Sequence, residues 1–407
     1  MPKRCKHGEE TTNGSGEDRI SALPDAILHV VLSSLPSDET VRTCVLSRRW
    51  RHLWKSTPAL RITRGGGWRF MEWRAWTVNN FVNQLLLLRD RVPLDECEIS
   101  ISQEFLNEDE DELFRFVHTW IRHAVSLCKA RVLKVRIRTE SYRLPLVNLP
   151  FSSQFLTRVE LTDVILRSRS LDFSNCPALE DLRMRSCRIY AHRIISQSLR
   201  CLSITRCDFR TPLLESMPSL VTAFVRLDYS CSDTCIHKAY GDCGDDICFG
   251  QSDGSAGRNR SVLLQGLSGA TNLQLTCDPE VFIFRKDSKK CPTFTMLKTL
   301  VLNDWCVAAD LRVLVRLLQH TPVLENLTLQ LQPREESVVE TDESYNLAEQ
   351  LLLLKHLKVV EIKCYKEDEV VHKIVSILST FGVHPEQIDI EQNFFQAPES
   401  CSFEFSD

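Results

Sequence analysis

The residues best equipped for chemistry lie between Asp228 and Ser261, a stretch rich in Gly, Asp, Ser and Cys that holds Cys231, Cys235, Cys243, Cys248 and His237. Thiolates and imidazoles are ligands that zinc takes readily. Yet no Cys-x-x-Cys pair occurs anywhere in the chain and the spacing matches no common zinc pattern, so no metal is assigned. Nucleophilic catalysis has no better footing. Gly254-Ser255-Ala256-Gly257 falls short of the G-x-S-x-G elbow, and no Walker loop, dinucleotide fingerprint or H-E-x-x-H appears. Among 11 scattered histidines, His118 and His123 lie on or beside an apolar helical stripe, where structural roles are expected. No catalytic residue and no cofactor site is assigned.

Binding chemistry is the remaining class. Trp68, Trp73 and Trp76, interleaved with Arg69 and Arg74, have the composition of a base-stacking platform. Fifty basic against fifty-four acidic residues leave a net charge of -4 and no wider basic surface, so these aromatics are expected to pack a connecting segment, and no nucleic-acid partner is assigned. Glu104 and Glu108 to Glu112 read as a solvated acidic loop. Lys3-Arg4-Cys5-Lys6 is too short a cluster to separate a nuclear signal from a solvated tail. The 17 cysteines are an odd number, and no apolar signal segment opens the sequence, so reduced thiols in the cytoplasm or nucleus are expected. The leucine runs at 85–88 and 351–354 are far shorter than the roughly 20 apolar residues a membrane-spanning helix needs, and no membrane partner is assigned.

The elements that would position a binding surface are of two kinds. From Leu133 onward the chain repeats an L-x-x-L-x-L frame, in Leu156/Val159/Leu161, Leu179/Leu182/Met184, Leu199/Leu202/Ile204, Leu297/Leu300/Leu302 and Leu324/Leu327/Leu329. Leu220 to Val225 and Leu357 to Ile362 are weaker copies. Clear neighbouring copies stand about 20 to 27 residues apart, the period of a leucine-rich repeat. The last two apolar positions alternate on a strand and point to one side, so stacked strands bury a continuous ribbon. Cys187 and Cys207 fall where such a turn wants a small polar residue for its backbone groups, which makes them structural. Val307, Leu311, Leu314, Val315 and Leu318 predict a helix on the opposite side. Upstream, Val78, Phe81, Val82, Leu85 and Leu88 form one helical stripe, and Leu113 to Cys128 another.

The second kind is a compact helical unit over residues 18–57. Pro24 stands at the first turn of a helix carrying Ile27, Leu28, Val31, Leu32 and Leu35, with Ser21 as its cap. Pro36 ends it, Ser37 caps the next helix with Val41, Cys44, Val45 and Leu46, and Ser47 opens a third with Trp50, Leu53 and Trp54. So small a unit has more apolar residues than it can bury, so part of that surface should meet a partner or a following domain.

The Leu23-Pro24 opening, the Leu35-Pro36 turn, Val45-Leu46-Ser47-Arg48-Arg49-Trp50 and the closing Leu53-Trp54 resemble the F-box of the large plant F-box family, with Ala26 where an acidic residue is common. Residues 357–390, strand, helix and strand in pattern, resemble the FBD region that closes many plant F-box proteins with leucine-rich repeats, without its Trp-rich entry. The resemblance implies an α/β fold. A three-helix F-box is followed by an irregular leucine-rich-repeat solenoid, parallel strands on one face and helices on the other, with an αβ cap at the C-terminus. The expected segments are a disordered tail 1–17, the F-box 18–57, a connecting helical region 58–130, repeats 131–334 with the insertion 228–261, an FBD-like region 347–392 and a tail 393–407. The resemblance also implies a substrate-recognition subunit of an Skp-cullin-F-box ubiquitin ligase, non-catalytic itself and without a RING finger, since the Cys-x-x-Cys pairs are missing. Leu23, Pro24, Ile27, Leu28, Leu35, Pro36, Val45, Leu46 and Trp50 would meet the Skp-type adaptor, and through it a cullin, while the repeats hold a target protein. Interface and core are not sorted among these nine by sequence. The alternative is a non-degradative repeat scaffold.

Overall fold

The computed structural model describes residues 20, 23–63, 75–102, 110–138, 143–147, 152–209, 211–215, 217–229, 231, 262–278, 281–307, 311–332 and 354–394. The tails, the acidic run over 103–109, Trp68, Trp73, Ser21 and most of the insertion, including Cys235, His237, Cys243 and Cys248, lie outside these residues.

One sheet of twelve parallel strands runs through the molecule in chain order. Its strands are β1 (Ala59–Thr63), β2 (Glu96–Ser102), β3 (Val132–Arg138), β5 (Arg158–Thr162), β8 (Asp181–Arg185) and β11 (Cys201–Thr205), then β14 (Thr222–Leu227), β15 (Asn272–Cys277), β16 (Thr299–Asn303), β17 (Asn326–Leu331), β18 (Val359–Cys364) and β19 (Ile388–Glu391). Each clear L-x-x-L-x-L copy supplies one of them. In β8, Leu182 and Met184 are buried while Arg183 and Arg185 face the other way, as a period of two demands. The register keeps the frame aligned: Val159 stands opposite Leu182, which stands opposite Leu202.

Residues 58–130, expected to be helical and connecting, also contribute β1 and β2 to this sheet. They flank α4 (Ala75–Leu88) and precede α5 (Glu110–Arg122), which continues into a π turn over His123–Leu127. Val78, Val82 and Leu85 face the core, and Trp120 Nε1 donates to Asn79 Oδ1 at 3.3 Å. Trp76 and Leu88, expected to pack, are exposed, because Ala75, Val78, Val82 and Leu85 already fill the inward face of α4.

The far side of the solenoid departs from the expected helices in the shortest repeats. There the chain returns through β4 (Leu144–Leu146), β6 (Val164–Leu166), β9 (Arg188–Ile189) and β12 (Asp208–Phe209), paired in one small sheet, and β7 (Leu171–Asp172), β10 (Arg193–Ile195) and β13 (Leu213–Glu215), paired in another. Repeats of about 20 residues leave too few for two turns and a helix. The corners before β6, β9 and β12 are turned by non-glycine residues in the left-handed region, Asp163, Ser186 and Arg206. After Ser186 and Arg206, thiols take up strand-end carbonyls. Cys187 Sγ donates to Leu161 O at 3.3 Å and Cys207 Sγ to Met184 O at 3.6 Å. Burial, and then neighbouring Cys187, holds the Cys207 thiol well above its ordinary value. In the longer repeats helices appear: α6 (Leu264–Leu267), α7 (Ile283–Ser288) and α8 (Arg312–Gln319). The helix anticipated from Val307 begins at Arg312; Val307 closes a separate 3-10 turn at Asp304–Cys306. Buried Asp287 on α7 accepts from the Leu263 and Leu264 amides at 2.6 and 3.1 Å, fixing the start of α6. Gly266 on α6 is indispensable for packing, because a Cβ there would stand 2.4 Å from Leu214 Cβ.

At the C-terminus β18, α9 (Glu369–Thr380) and β19 follow as strand, helix and strand. Asp368 caps α9 by accepting from the Val371 amide at 2.9 Å.

Candidate functional site

The N-terminal unit consists of α1 (Asp25–Ser33), α2 (Ser37–Arg42), a 3-10 turn Thr43–Val45 and α3 (Trp50–Leu53). Two local expectations need correction. Pro24 is the residue before the first helical turn, not inside it; its carbonyl accepts from the Ile27 and Leu28 amides at 3.0 and 3.2 Å. Ser37 does not cap α2, since Pro36 holds that position. The Ser37 hydroxyl instead accepts from the Arg61 amide at 2.9 Å and so pins α2 to β1. The Leu35-Pro36 turn is fixed from within by Thr40 Oγ1, which reaches Leu32 O at 3.1 Å and Pro36 O at 3.0 Å. Arg49 Nε donates to Asp25 Oδ1 at 3.0 Å and Nη2 reaches the Leu23 carbonyl, so the Leu23-Pro24 entry is tied to the segment before α3.

The nine anticipated contact residues fall into three sets by exposure. Leu28 and Trp50 are 0% and 4% exposed and form, with Leu32, Leu53 and Leu35, a small core distinct from that of the solenoid. They are structural, because the side of α1 carrying Leu28 and Leu32 packs on α3. Leu35 and Pro36 are half-buried in the turn. Leu23, Pro24, Ile27, Val45 and Leu46 are exposed, Val45 at 83% and Leu46 at 66%. Ile20, Val30 and Val31, not selected from sequence, join them in exposure. Splitting the α1 stripe into the side carrying residues 28 and 32 and the side carrying residues 27, 30 and 31 would have found the last two.

Seven of the seventeen large apolar side chains that are exposed among the described residues fall between Ile20 and Leu46. Isolated exposed apolar residues are ordinary, but concentration in so short a segment marks a surface built to be covered.

Among the described residues, several groups suited to chemistry make packing contacts. His118 Nε2 lies 2.8 Å from the Pro145 carbonyl. Burial pushes the Cys97 thiol up to about 12. Cys231 Sγ lies 3.5 Å from Thr211 Oγ1. Among the described residues no three His, Cys, Asp or Glu side chains gather as metal ligands, and no helix is long and apolar enough to cross a membrane.

The second surface is the open face of the sheet, which in solenoids lines the binding side. Its N-terminal part is densely charged. Arg61 pairs with Glu96 at 2.7 Å and with Glu98, and Lys134 pairs with Glu96 at 2.9 Å. Asp181 takes Arg158 and Arg183 at 3.0 and 2.9 Å. Toward β14 to β16 the equivalent positions are Phe224, Gln274 and Val301, all buried.

Comparison with known proteins agrees with both halves of this geometry. The sequence model of the F-box domain matches residues 20–61. That of the leucine-rich repeats of the FBD-associated F-box protein At5g56370 matches residues 107–239. The MEIOTIC F-BOX protein MOF of Oryza sativa subsp. japonica is 28% identical over 346 residues, 77% of this chain and 71% of its own length. The F-box/FBD/LRR-repeat protein At5g18770 of Arabidopsis thaliana is 26% identical over 364 residues, 78% of this chain and 72% of that protein. The F-box/FBD/LRR-repeat protein At5g22660 of Arabidopsis thaliana is 58% identical over 48 residues, 12% of this chain and 11% of that protein. The chain carries an F-box domain and, after it, leucine-rich repeats that match those of an FBD-associated F-box protein.

Proposed function

We propose that this chain is the substrate-recognition subunit of an Skp-cullin-F-box ubiquitin ligase, with no catalytic centre of its own. The apolar face of the F-box docks the Skp-type adaptor and through it the cullin, while the open face of the sheet holds a target protein. The mechanism is proximity. The repeats hold the target's lysines near the ubiquitin carrier and raise their effective concentration, so no residue here has to do covalent chemistry. The observation that carries this reading is the exposure of Leu23, Ile27, Val30, Val31, Val45 and Leu46 on a unit whose own core is already filled by Leu28, Leu32, Trp50 and Leu53.

The test is co-purification with a plant Skp-type adaptor, comparing the native chain with the double variant Ile27→Asp, Val45→Asp. Both side chains are exposed, so the fold should survive, as circular dichroism would verify. Stoichiometric binding by the native chain and its loss in the variant are expected, since truncating one central interface residue costs about 1 to 4 kcal/mol and burying a charge costs more. A folded native chain that does not bind the adaptor would overturn the proposal. Adaptor binding without turnover of any bound protein would favour the scaffold reading.

A further inference from the structure

The sheet is closed at one end and open at the other. On its first strand, β1, the Arg61 amide donates to Ser37 Oγ at 2.9 Å, so α2 lies along the outer side. On its last strand, β19, nothing among the described residues pairs with the outer side. The chain beyond β19 turns back instead. The Asn393 amide donates to the Tyr365 carbonyl at 3.1 Å and the Phe394 amide to the Cys364 carbonyl at 3.0 Å, both at the end of β18. Burial shows the same asymmetry. Val360 and Ile362 on β18 are both 0% exposed, whereas Ile388 and Ile390, beside them in register, are only half-buried. An unpaired edge that carries an unfinished apolar ribbon is a template for one more strand.

The charges select what that strand can be. Successive side chains of a strand take opposite faces, so Asp389 and Glu391 stand on the open face, beside Glu361 and Lys363. Asp389 and Glu391 are exposed. Lys363 is the one cation of this group, 3.2 Å from Glu391 and 3.8 Å from Glu361, and among the described residues no cation pairs with Asp389. The edge is therefore acidic. A second copy of the chain fits it poorly. Antiparallel pairing of two β19 strands, in the registers that overlap most, sets Asp389 against Asp389 or against Glu391, and like charges directly opposite are destabilising. A strand with Lys or Arg on the open face and apolar residues on the other satisfies both features. Its cations oppose Asp389 and Glu391, and its apolar side chains cover Ile388 and Ile390.

We propose that the outer edge of β19 takes up an extended segment of a partner protein in which basic and apolar residues alternate, adding one more strand to the sheet. Main-chain hydrogen bonds give such an addition its affinity, and the alternating side chains give it specificity. The edge is the last in the strand order and the F-box adjoins the first, so this docking is independent of the adaptor.

The experiment uses the full chain and three fluorescent peptides flanked by serines: Lys-Val-Lys-Ile-Lys, its counterpart with glutamate for lysine, and one of the first composition with its lysines in a single block. The alternating basic peptide should bind about tenfold more tightly than either of the others, with an affinity that falls as salt rises. It should also slow amide exchange in β19. The double variant Asp389→Lys, Glu391→Lys should reverse the preference in favour of the glutamate peptide. Asp95→Lys, an exposed charge change beside β2 at the far end of the sheet, should leave the preference as it is. Circular dichroism verifies the fold of each variant. Equal binding of the alternating and blocked peptides would reduce the effect to net charge, and an unchanged preference in the double variant would place the peptide elsewhere. A native dimer that the peptide dissociates would give the edge to a second copy. Each of these overturns the proposal, as does binding of none of the peptides. Adaptor co-purification on the same samples keeps the two readings apart, because its failure bears only on the ligase.

Discussion

At the scale of single residues, two histidines have their acid–base behaviour shifted chiefly by burial. His123, at the start of the π turn after α5, is held below its ordinary value of 6.5, first by burial and then by the charge of Arg89. His320, beyond α8, is lowered in the same way by burial and by Arg316. A histidine whose folded value is depressed binds a proton more readily in the unfolded chain. Its contribution is therefore complete above about pH 6.5 and is lost as the pH falls below it. The melting temperature should be lower at about pH 5.5 than at about pH 7.5, and His123→Gln should shrink that difference. Asp172, Glu325 and Glu369 are also depressed, but from ordinary values of 3.8 and 4.5, so they titrate below this window. Thermal melts of the two proteins at the two pH values decide it; an unchanged difference in the variant would remove His123 from the account. Cys187 and Cys207 were legible as turn residues because the repeat frame places them. The left-handed backbone of Asp163, Ser186 and Arg206 was not, since none is the glycine that ordinarily marks it.

At the scale of elements, the F-box separates a buried from an exposed apolar face along one helix. Leu28→Ala removes a fully buried side chain from a five-residue core and should cost about 2 to 5 kcal/mol. Ile27→Ala, one residue away and 48% exposed, should stay within about 0.5 kcal/mol of the native stability. Denaturant titration of the two variants checks this; similar losses would mean that the face of Ile27 is also internal. The pattern of apolar residues showed that α1 had too many faces, but not which face was covered, because periodicity records spacing and not the neighbour. The strands that escaped the repeat reading have a similar cause. β1, β2 and β15 follow the frame as Thr57/Leu60/Ile62, Leu94/Cys97/Ile99 and Ala270/Leu273/Leu275, with Thr, Cys or Ala buried at one position of each and Ile at the last position of the first two. The solenoid needs a filled interior position, and Thr, Cys or Ala fills it once the neighbouring strands have set the register. A search for leucine alone misses all three. The helices α8 and α9 were legible because each carries its apolar stripe over at least two turns.

At the scale of the molecule, the sheet and the F-box have separate cores. Their junction centres on Arg61 in β1. Its amide donates to Ser37 Oγ at 2.9 Å, its Nε to the Ser33 carbonyl at 2.6 Å, and its guanidinium pairs with Glu96 and Glu98 on β2. One residue thus joins α1 and α2 to the first two strands, its side chain reaching α1 and β2 and its backbone amide α2. A unit of about 40 residues is barely able to stay folded alone, so this junction should also supply part of the F-box's stability. Arg61→Ala leaves the backbone bond to Ser37 in place but removes the other three interactions. With the side chain about a quarter exposed, the loss should be about 1 to 2 kcal/mol, below that of a fully buried pair. In a solenoid whose repeats contact only their neighbours, that loss stays local. Hydrogen exchange should therefore show protection in α1 falling about tenfold or more, while β16 and β17 keep theirs. If protection fell equally in all three, the molecule would unfold as one cooperative body and the F-box would not be a separately loosened module. If α1 were unaffected, the small core of Leu28, Leu32, Trp50 and Leu53 would be sufficient alone, and the F-box would be tied to the sheet by contacts other than Arg61.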